Sequence, residues 1–365
     1  MMVKSEFYTY NDITIVPTVV SDIEHRSECI PFDENGMLPL FTAPMNTVVG
    51  RTNFDLFEQE KIYAILPRTE SLQMRIEYSF YGKWAAYSLV EFEDVFCSGK
   101  YKKDTSKIYA LIDVANGHMK KIFDLVKCSK DIYGEDIVIM VGNIANPNTY
   151  EEYAKVGVDF IRCGIGGGSG CLSSSNLGVH VPMASLIDSV YKVKKSLKNQ
   201  GMKKLPNIVA DGGIRNYSDA IKSLALGADY VMIGSVFARM LESSAVKKSE
   251  KIGYLNNNVS LFERINRRDG EWVLDENTKL GDITAIFYGM ASKEGQIALN
   301  GSKTKTSEGL LKYLLVDYTM HGWVTNFIDY LRSAMSYVGA KNISEFKDKS
   351  VTIINSQNSV LAVNK

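Results

Sequence analysis

The chain has 365 residues, 45% of them hydrophobic, and its 42 Lys plus Arg are balanced by 42 Asp plus Glu. That length supports a substantial buried core, and zero formal net charge gives none of the basic surplus that a nucleic-acid binder carries. The five cysteines, Cys29, Cys97, Cys128, Cys163 and Cys171, include no CxxC pair, which argues against a zinc site or a redox pair and fits free thiols in a reducing cytosol.

The opening MMVKSEFYTYNDITIV has no continuous apolar h-region, so it does not read as a signal peptide. No run reaches the roughly 20 apolar residues needed to span a bilayer. A cytoplasmic protein with no membrane and no nucleic-acid partner is expected. Short apolar runs then follow one another: LPLFTAP (38–44), KIYAIL (61–66), KIYALIDV (107–114), DIVIMVGNI (136–144), VDFIRCGI (158–165), NIVADGG (207–213), YVMIGS (230–235) and DITAIFYGM (282–290). Their β-branched and aromatic content suits strands, and near-continuous hydrophobicity suits parallel strands buried on both faces. NPNTYEEYAKVG and NYSDAIKSLALGA read as helices with polar starts and Gly stops.

Eight such strands alternating with helices predict an α/β fold, a (β/α)₈ TIM barrel, as one domain over 1–365. An open doubly wound sheet is the alternative. It would want its Gly-rich fingerprint after the first strand, whereas the richest Gly cluster here follows the fifth. Residues 242–281 are polar and irregular, and read as a mobile flap before the last barrel strand.

The chemistry concentrates in CGIGGGSGCLSSSNLGVHVP, residues 163–182. Such a loop lets backbone approach a ligand and aim successive N–H groups at an anion. A flexible loop with a chance cysteine is the bland reading. Its position at the C-terminal end of a barrel strand, the face where barrel active sites sit, favours function. ADGGIRN (210–216) and IGS (233–235) end two further strands. Asp211 suits a ribose diol, while Gly213, Gly234 and Ser235 offer donors to phosphate. Ordinary turn chemistry accounts for any one of these loops, but less easily for three at adjacent strand ends.

IDVANGH (112–118), IMVGNI (139–144), GIGGGSGC (164–171), VADGGIRN (209–216), VMIGSVFA (231–238), FYGMAS (287–292) and TSEG (306–309) occur here in order. With YNDITIVP, HRSE (25–28), APMNTV (43–48) and LRSAMSYVGAKNISEF (331–346), this set resembles the IMP dehydrogenase and GMP reductase family over nearly the whole chain. The resemblance implies a tetrameric nucleotide-binding barrel in which Cys171 attacks C2 of a purine, with Ser173 and Glu308 as a proton relay. It implies that Ser169, Asp211, Gly212, Gly213, Gly234, Ser235, Gly289, Met290, Ala291, Lys305 and Gly309 hold the nucleotide. Asp113, Ala115, Asn116, Ile165, Gly166 and Met290 would face NADPH, with Arg26 and Arg68 as basic residues for its phosphate. Carbonyls of Gly166, Gly168 and Cys171 match the family's monovalent cation (K⁺) site.

The branch resembled is the reductase, which converts GMP to IMP and ammonia. Only about 40 residues separate KIYAIL from KIYALIDV, so the regulatory modules common in the dehydrogenase have no room. Between Met290 and Glu308 the chain lacks the dehydrogenase's Arg-Tyr pair. The family's Gly-Pro-Gly-Ser-x-Cys-Thr-Thr-Arg reads here as Gly166-Gly167-Gly168-Ser169-Gly170-Cys171-Leu172-Ser173-Ser174. Gly167 for Pro loosens the loop, and Ser174 for Arg changes its charge. IMP dehydrogenation and nucleotide binding without turnover stay open as alternatives. His118 reads as a cofactor-lining or a structural turn histidine, His180 as a base or a surface residue, and Cys163 as core.

Overall fold

Alternate residues of a strand face opposite sides of a sheet, and this period of two builds the molecule from its interior outward. The computed structural model describes residues 6–101, 107–249, 253–255, 266–268, 271–275, 278–301 and 305–355. A first strand, β1 (Ile13–Val16), pairs antiparallel with the last, β17 (Val351–Ile354). The central sheet consists of β2 (Leu40–Thr42), β3 (Ile65–Leu66), β4 (Trp84–Tyr87), β5 (Ile108–Asp113), β6 (Ile137–Ile144), β7 (Phe160–Cys163), β8 (Asn207–Asp211) and β9 (Tyr230–Ile233). These eight strands form one parallel sheet in the order β2-β9-β8-β7-β6-β5-β4-β3. The ring closes through Tyr63, whose N–H donates to Leu40 at 3.0 Å while its carbonyl accepts from Thr42 at 2.9 Å. The expected (β/α)₈ barrel is present.

Phe41, Ile65, Trp84, Ala86, Leu111, Met140, Val209 and Met232 point inward and form one buried cluster with Tyr63, Tyr109, Val138, Phe160 and Tyr230. One end is sealed by Asp33, which accepts from the hydroxyls of Tyr63 at 2.7 Å and Tyr230 at 3.0 Å. Continuing the same register by two residues carries Leu111 to Asp113, Phe160 to Arg162 and Val209 to Asp211. The C-terminal end of the barrel is therefore lined by charge. Outward residues such as Ile112, Ile139, Val141 and Ile161 pack on the surrounding helices. Those helices carry local start signals. Ser88 caps Leu89–Phe96 in a capping box with Glu91, and Asn216 caps Tyr217–Ala225.

Two expectations need correction. Trp84–Tyr87 is a barrel strand absent from the expected set, so the Gly-rich loop follows the sixth strand, not the fifth. DITAIFYGM is not a barrel strand. Its β15 (Ile283–Tyr288) belongs to an antiparallel sheet with β10 (Lys247–Ser249), β11 (Gly253–Leu255) and β16 (Leu311–Leu315), in the order β11-β10-β15-β16. The polar segment therefore follows the last barrel strand instead of preceding it. Of its 242–281 span, the described parts add a small sheet of β12 (Asn266–Arg268), β13 (Glu271–Asp275) and β14 (Thr278–Lys279); the rest lies outside the described residues. No helix among the described residues is long and apolar enough to cross a membrane.

Candidate active site

The charged end of the barrel opens into a cavity of about 500 Å³, a size that suits a small organic ligand. At its floor Arg162, 7% exposed, donates from Nη1 to Asp113 at 2.7 Å and from Nη2 to Asp211 at 2.8 Å. Burial disfavours the guanidinium charge, but the Asp211 and Asp113 carboxylates outweigh it and raise the Arg162 pKa. Asn143 Nδ2 donates to Asp211 Oδ2 and to the Gly164 carbonyl, each at 2.7 Å. Asp211 is thus clamped from two strands with one carboxylate oxygen, Oδ2, and its other oxygen makes none of these bonds. Sequence reasoning missed Arg162 and Asn143. The available signal was an Arg at an inward register position of the apolar run VDFIRCGI.

The Gly-rich loop rises beside this floor. Backbone turns at Gly164, Gly166, Gly212 and Gly213 have positive φ, which only glycine adopts readily. At Gly164 a Cβ would meet the Asp211 carbonyl oxygen at 2.0 Å, so the loop after β7 lies directly on the loop after β8. Gly213 N–H donates to Gly167 at 2.9 Å, which fastens the two loops together.

Cys171 is half-buried at the cavity wall, and its thiol donates to Ser173 Oγ at 3.2 Å. Ser173 is 7% exposed. A second segment is sewn to this one through main chain alone. Leu172 N–H donates to Glu308 at 2.8 Å, Leu310 N–H to Gly170 at 3.0 Å, and Cys171 and Gly309 form an antiparallel bridge. Three glycines allow the approach. A Cβ on Gly289 would stand 2.6 Å from the Gly170 oxygen, one on Gly309 would stand 2.7 Å from the Ser292 nitrogen, and one on Gly170 would press on Phe287 at 3.1 Å. Glu308 consequently lines the cavity that Cys171 and Ser173 line.

Most of the residues singled out from sequence meet here. Ser169, Asp211, Gly212, Gly213, Gly234, Ser235, Gly289, Met290 and Ala291 line the cavity, as do Asp113, Ala115, Ile165, Gly166, Gly168 and Arg68. Gly309 sits behind the wall in its bridge to Cys171. Asn116 turns its side chain to the His118 N–H at 3.0 Å. Lys305 is exposed, with its N–H on Gln296. Arg26 is not brought to the cavity; Asp329 at 3.0 Å and Ser333 at 3.2 Å hold it at the surface. His118 is a turn histidine. Its Nε2 accepts from the Ala145 N–H at 3.1 Å, so Nδ1 carries the proton to Thr149 Oγ1 at 3.0 Å, and burial lowers its pKa. His180 is exposed and sits with Nδ1 2.8 Å from the Ile165 carbonyl. Cys163 is core, where burial pushes its thiol up, away from reactivity.

Residues 106–256 match a family model described as the IMP dehydrogenase / GMP reductase domain. A 237-residue stretch, 65% of this chain, is 32% identical to an inosine-5'-monophosphate dehydrogenase of Borreliella burgdorferi and covers 52% of it. Over 357 residues the chain is 24% identical to a GMP reductase of Oceanobacillus iheyensis, covering 95% of each. A GMP reductase of Staphylococcus saprophyticus is 26% identical over 360 residues, covering 96% of each chain. The chain thus spans about half the length of the dehydrogenase and nearly the whole length of the two reductases.

Proposed function

This chain is a divergent member of the IMP dehydrogenase and GMP reductase family, and we propose that it carries out reductive deamination of GMP to IMP and ammonia. The observation that carries the reading is the backbone seam that brings Glu308 to the cavity wall of Cys171 and Ser173. A nucleophile, a hydroxyl and a carboxyl at one cavity wall are what removal of an amine requires. The Cys171 thiolate forms a bond to purine C2, and the exocyclic amine leaves as ammonia once it has been protonated. Glu308 supplies that proton through the Ser173 hydroxyl. The covalent thioimidate then accepts hydride at C2, and the C–S bond breaks to return the thiolate. One hard displacement becomes two easier ones. Asp211 would hold the ribose diol, with Ser169, Gly213, Gly234 and Ser235 around the phosphate.

The hydride comes from a nicotinamide cofactor, for which we assign NADPH. The residues fit it. Asp113, Ala115 and Met290 line one side of the cavity, and Arg68 reaches the Asp113 carbonyl at 3.4 Å while its buried Nε has no partner. A potassium ion would be held by carbonyls of Gly166, Gly168 and Cys171; Gly168 already accepts from the Cys171 N–H at 3.0 Å and keeps one lone pair for it. We assign a homotetramer as well.

The second reading, IMP dehydrogenation, is favoured by the higher identity of the dehydrogenase match. Following absorbance of the reduced cofactor with GMP and NADPH, and separately with IMP and NAD, separates the two. Substituting NADH for NADPH tests the cofactor assignment. Glu308→Gln should fail with GMP and NADPH, yet still oxidise IMP with NAD to the covalent stage, releasing about one reduced cofactor per site. Equal weakening of both half-reactions would reduce Glu308 to a loop-shaping residue.

A further inference from the structure

Two of the thiols that sequence spacing kept apart are neighbours in space. Cys97 ends the helix Leu89–Phe96, and Cys128 lies in the helix Lys120–Tyr133 that packs against it, 31 positions on. The Cys128 thiol donates to the Cys97 carbonyl at 3.9 Å, and the Cys97 thiol donates to the Leu125 carbonyl at 3.6 Å. Neither is sealed off, since both are partly exposed, whereas Cys29 and Cys163 are buried. An ion pair between Glu93 and Lys121 at 2.5 Å fixes the same two helices side by side.

We propose that Cys97 and Cys128 are a dithiol that closes reversibly into an intramolecular disulfide, by exchange with a low-molecular-weight disulfide such as oxidised glutathione. Cys128 attacks one glutathione sulfur, its thiol proton passing to solvent. The glutathione S–S bond breaks, and one glutathione leaves as thiolate. Cys97, deprotonated in turn, attacks the Cys128 sulfur of the mixed disulfide and expels the second glutathione. The two cysteines lose two electrons, and one oxidised glutathione becomes two reduced ones. Burial, and then the Cys128 contact, pushes the Cys97 thiol up, which assigns the first attack to Cys128 and makes closure faster at higher pH.

The link would join the ends of the stretch that carries β5 and, at its last position, Asp113 of the cavity floor. Oxidation would therefore tie down a segment of the site without touching Cys171. The test is incubation of the full chain with excess oxidised glutathione, alkylation of the remaining thiols and peptide mapping. Expected are a cross-linked peptide joining Cys97 to Cys128, a loss of about 2 Da for that link, and its reversal by dithiothreitol. Cys97→Ser and Cys128→Ser should each abolish the link, the first leaving Cys128 as a glutathione adduct and the second leaving Cys97 as a free thiol. Recovery of Cys97 and Cys128 as alkylated free thiols, or as two separate glutathione adducts in the unmutated protein, would overturn the proposal. So would a disulfide that survives either substitution.

Discussion

Cys171 and Gly309 face each other across the seam, one the proposed nucleophile and the other present for the absence of a side chain. Cys171→Ala removes the proposed nucleophile and leaves the loops after β8 and β9 in place. Turnover should fall about a thousandfold or more, while calorimetry shows nucleotide affinity nearly unchanged. Residual turnover near the parent rate would take Cys171 out of the reaction. Gly309→Ala should push the Glu308 segment off the Ser292 backbone, because its Cβ would stand 2.7 Å from that nitrogen. A shift of about 1 Å at an acid can cost about a hundredfold in rate, so kcat with GMP should drop steeply while KM changes little. The glycine content of 164–170 was legible in the sequence as a close-approach loop. The role of Gly309 was not, because the atoms it must avoid lie on other segments. Arg162 was hidden for the same reason. Asp113 and Asp211, which neutralise it, are each 49 positions away.

At the level of the strand, Asp159 and Asp229 do the same work at two places. Asp159 Oδ2 accepts from the Ile139 N–H at 2.8 Å and pairs with Lys130 at 2.8 Å. Asp229 Oδ2 accepts from the Ile208 N–H at 2.7 Å and pairs with Lys194 at 2.6 Å, while its Oδ1 takes Lys347 at 2.5 Å. Each carboxylate ties the start of one strand to its neighbour and to helices outside. Burial raises the Asp229 pKa, but Lys194 and Lys347 outweigh it and hold the group below the ordinary carboxylate value. A carboxyl depressed on folding stabilises fully above its unfolded pKa, about 3.9, and that contribution fades as pH falls through the folded value. Asp229→Asn should therefore cost roughly 3 kcal/mol at pH 7, with the difference from the parent shrinking below about pH 4. Urea melts across that range measure it, and a gap that stays constant with pH would refute the ionic account. Two strand assignments also turned on local pattern. Trp84–Tyr87 carries little strand signal because WAAY is short and has no β-branched residue. DITAIFYGM was misplaced because its composition is strand-like, yet Ile283, Ala285 and Phe287 are buried while Thr284, Ile286 and Tyr288 are not. That alternation belongs to a half-covered antiparallel sheet.

For the molecule as a whole, the barrel interior grades from aromatic packing sealed by Asp33 to the charged floor under the cavity. Parallel strands fix both ends at once, because one register decides which residues reach the centre. A ligand in that cavity touches loops from most of the strands, so it should stabilise the whole fold. GMP or IMP at a hundred times its Kd should add about 2.7 kcal/mol, a rise of several degrees in Tm. A melting temperature indifferent to both nucleotides would contradict the purine assignment. The barrel itself was legible from the spacing of apolar runs. The antiparallel sheet after β9 was not, since β10 pairs with its neighbour β11 on one side but on the other reaches past β12–β14 to β15.

The seam between residues 170–172 and 308–310 has a consequence for how this protein can diverge. Because its contacts run from main chain to main chain, the side chains of Leu172 and Leu310 are spectators to the alignment of Cys171 and Glu308. Mutational drift can recast them, and the loop chemistry with them, while the reactive geometry is inherited intact. The tolerated and forbidden substitutions should separate cleanly in a library selected for activity, with many residues accepted at 172 and 310 and glycine alone at 289 and 309.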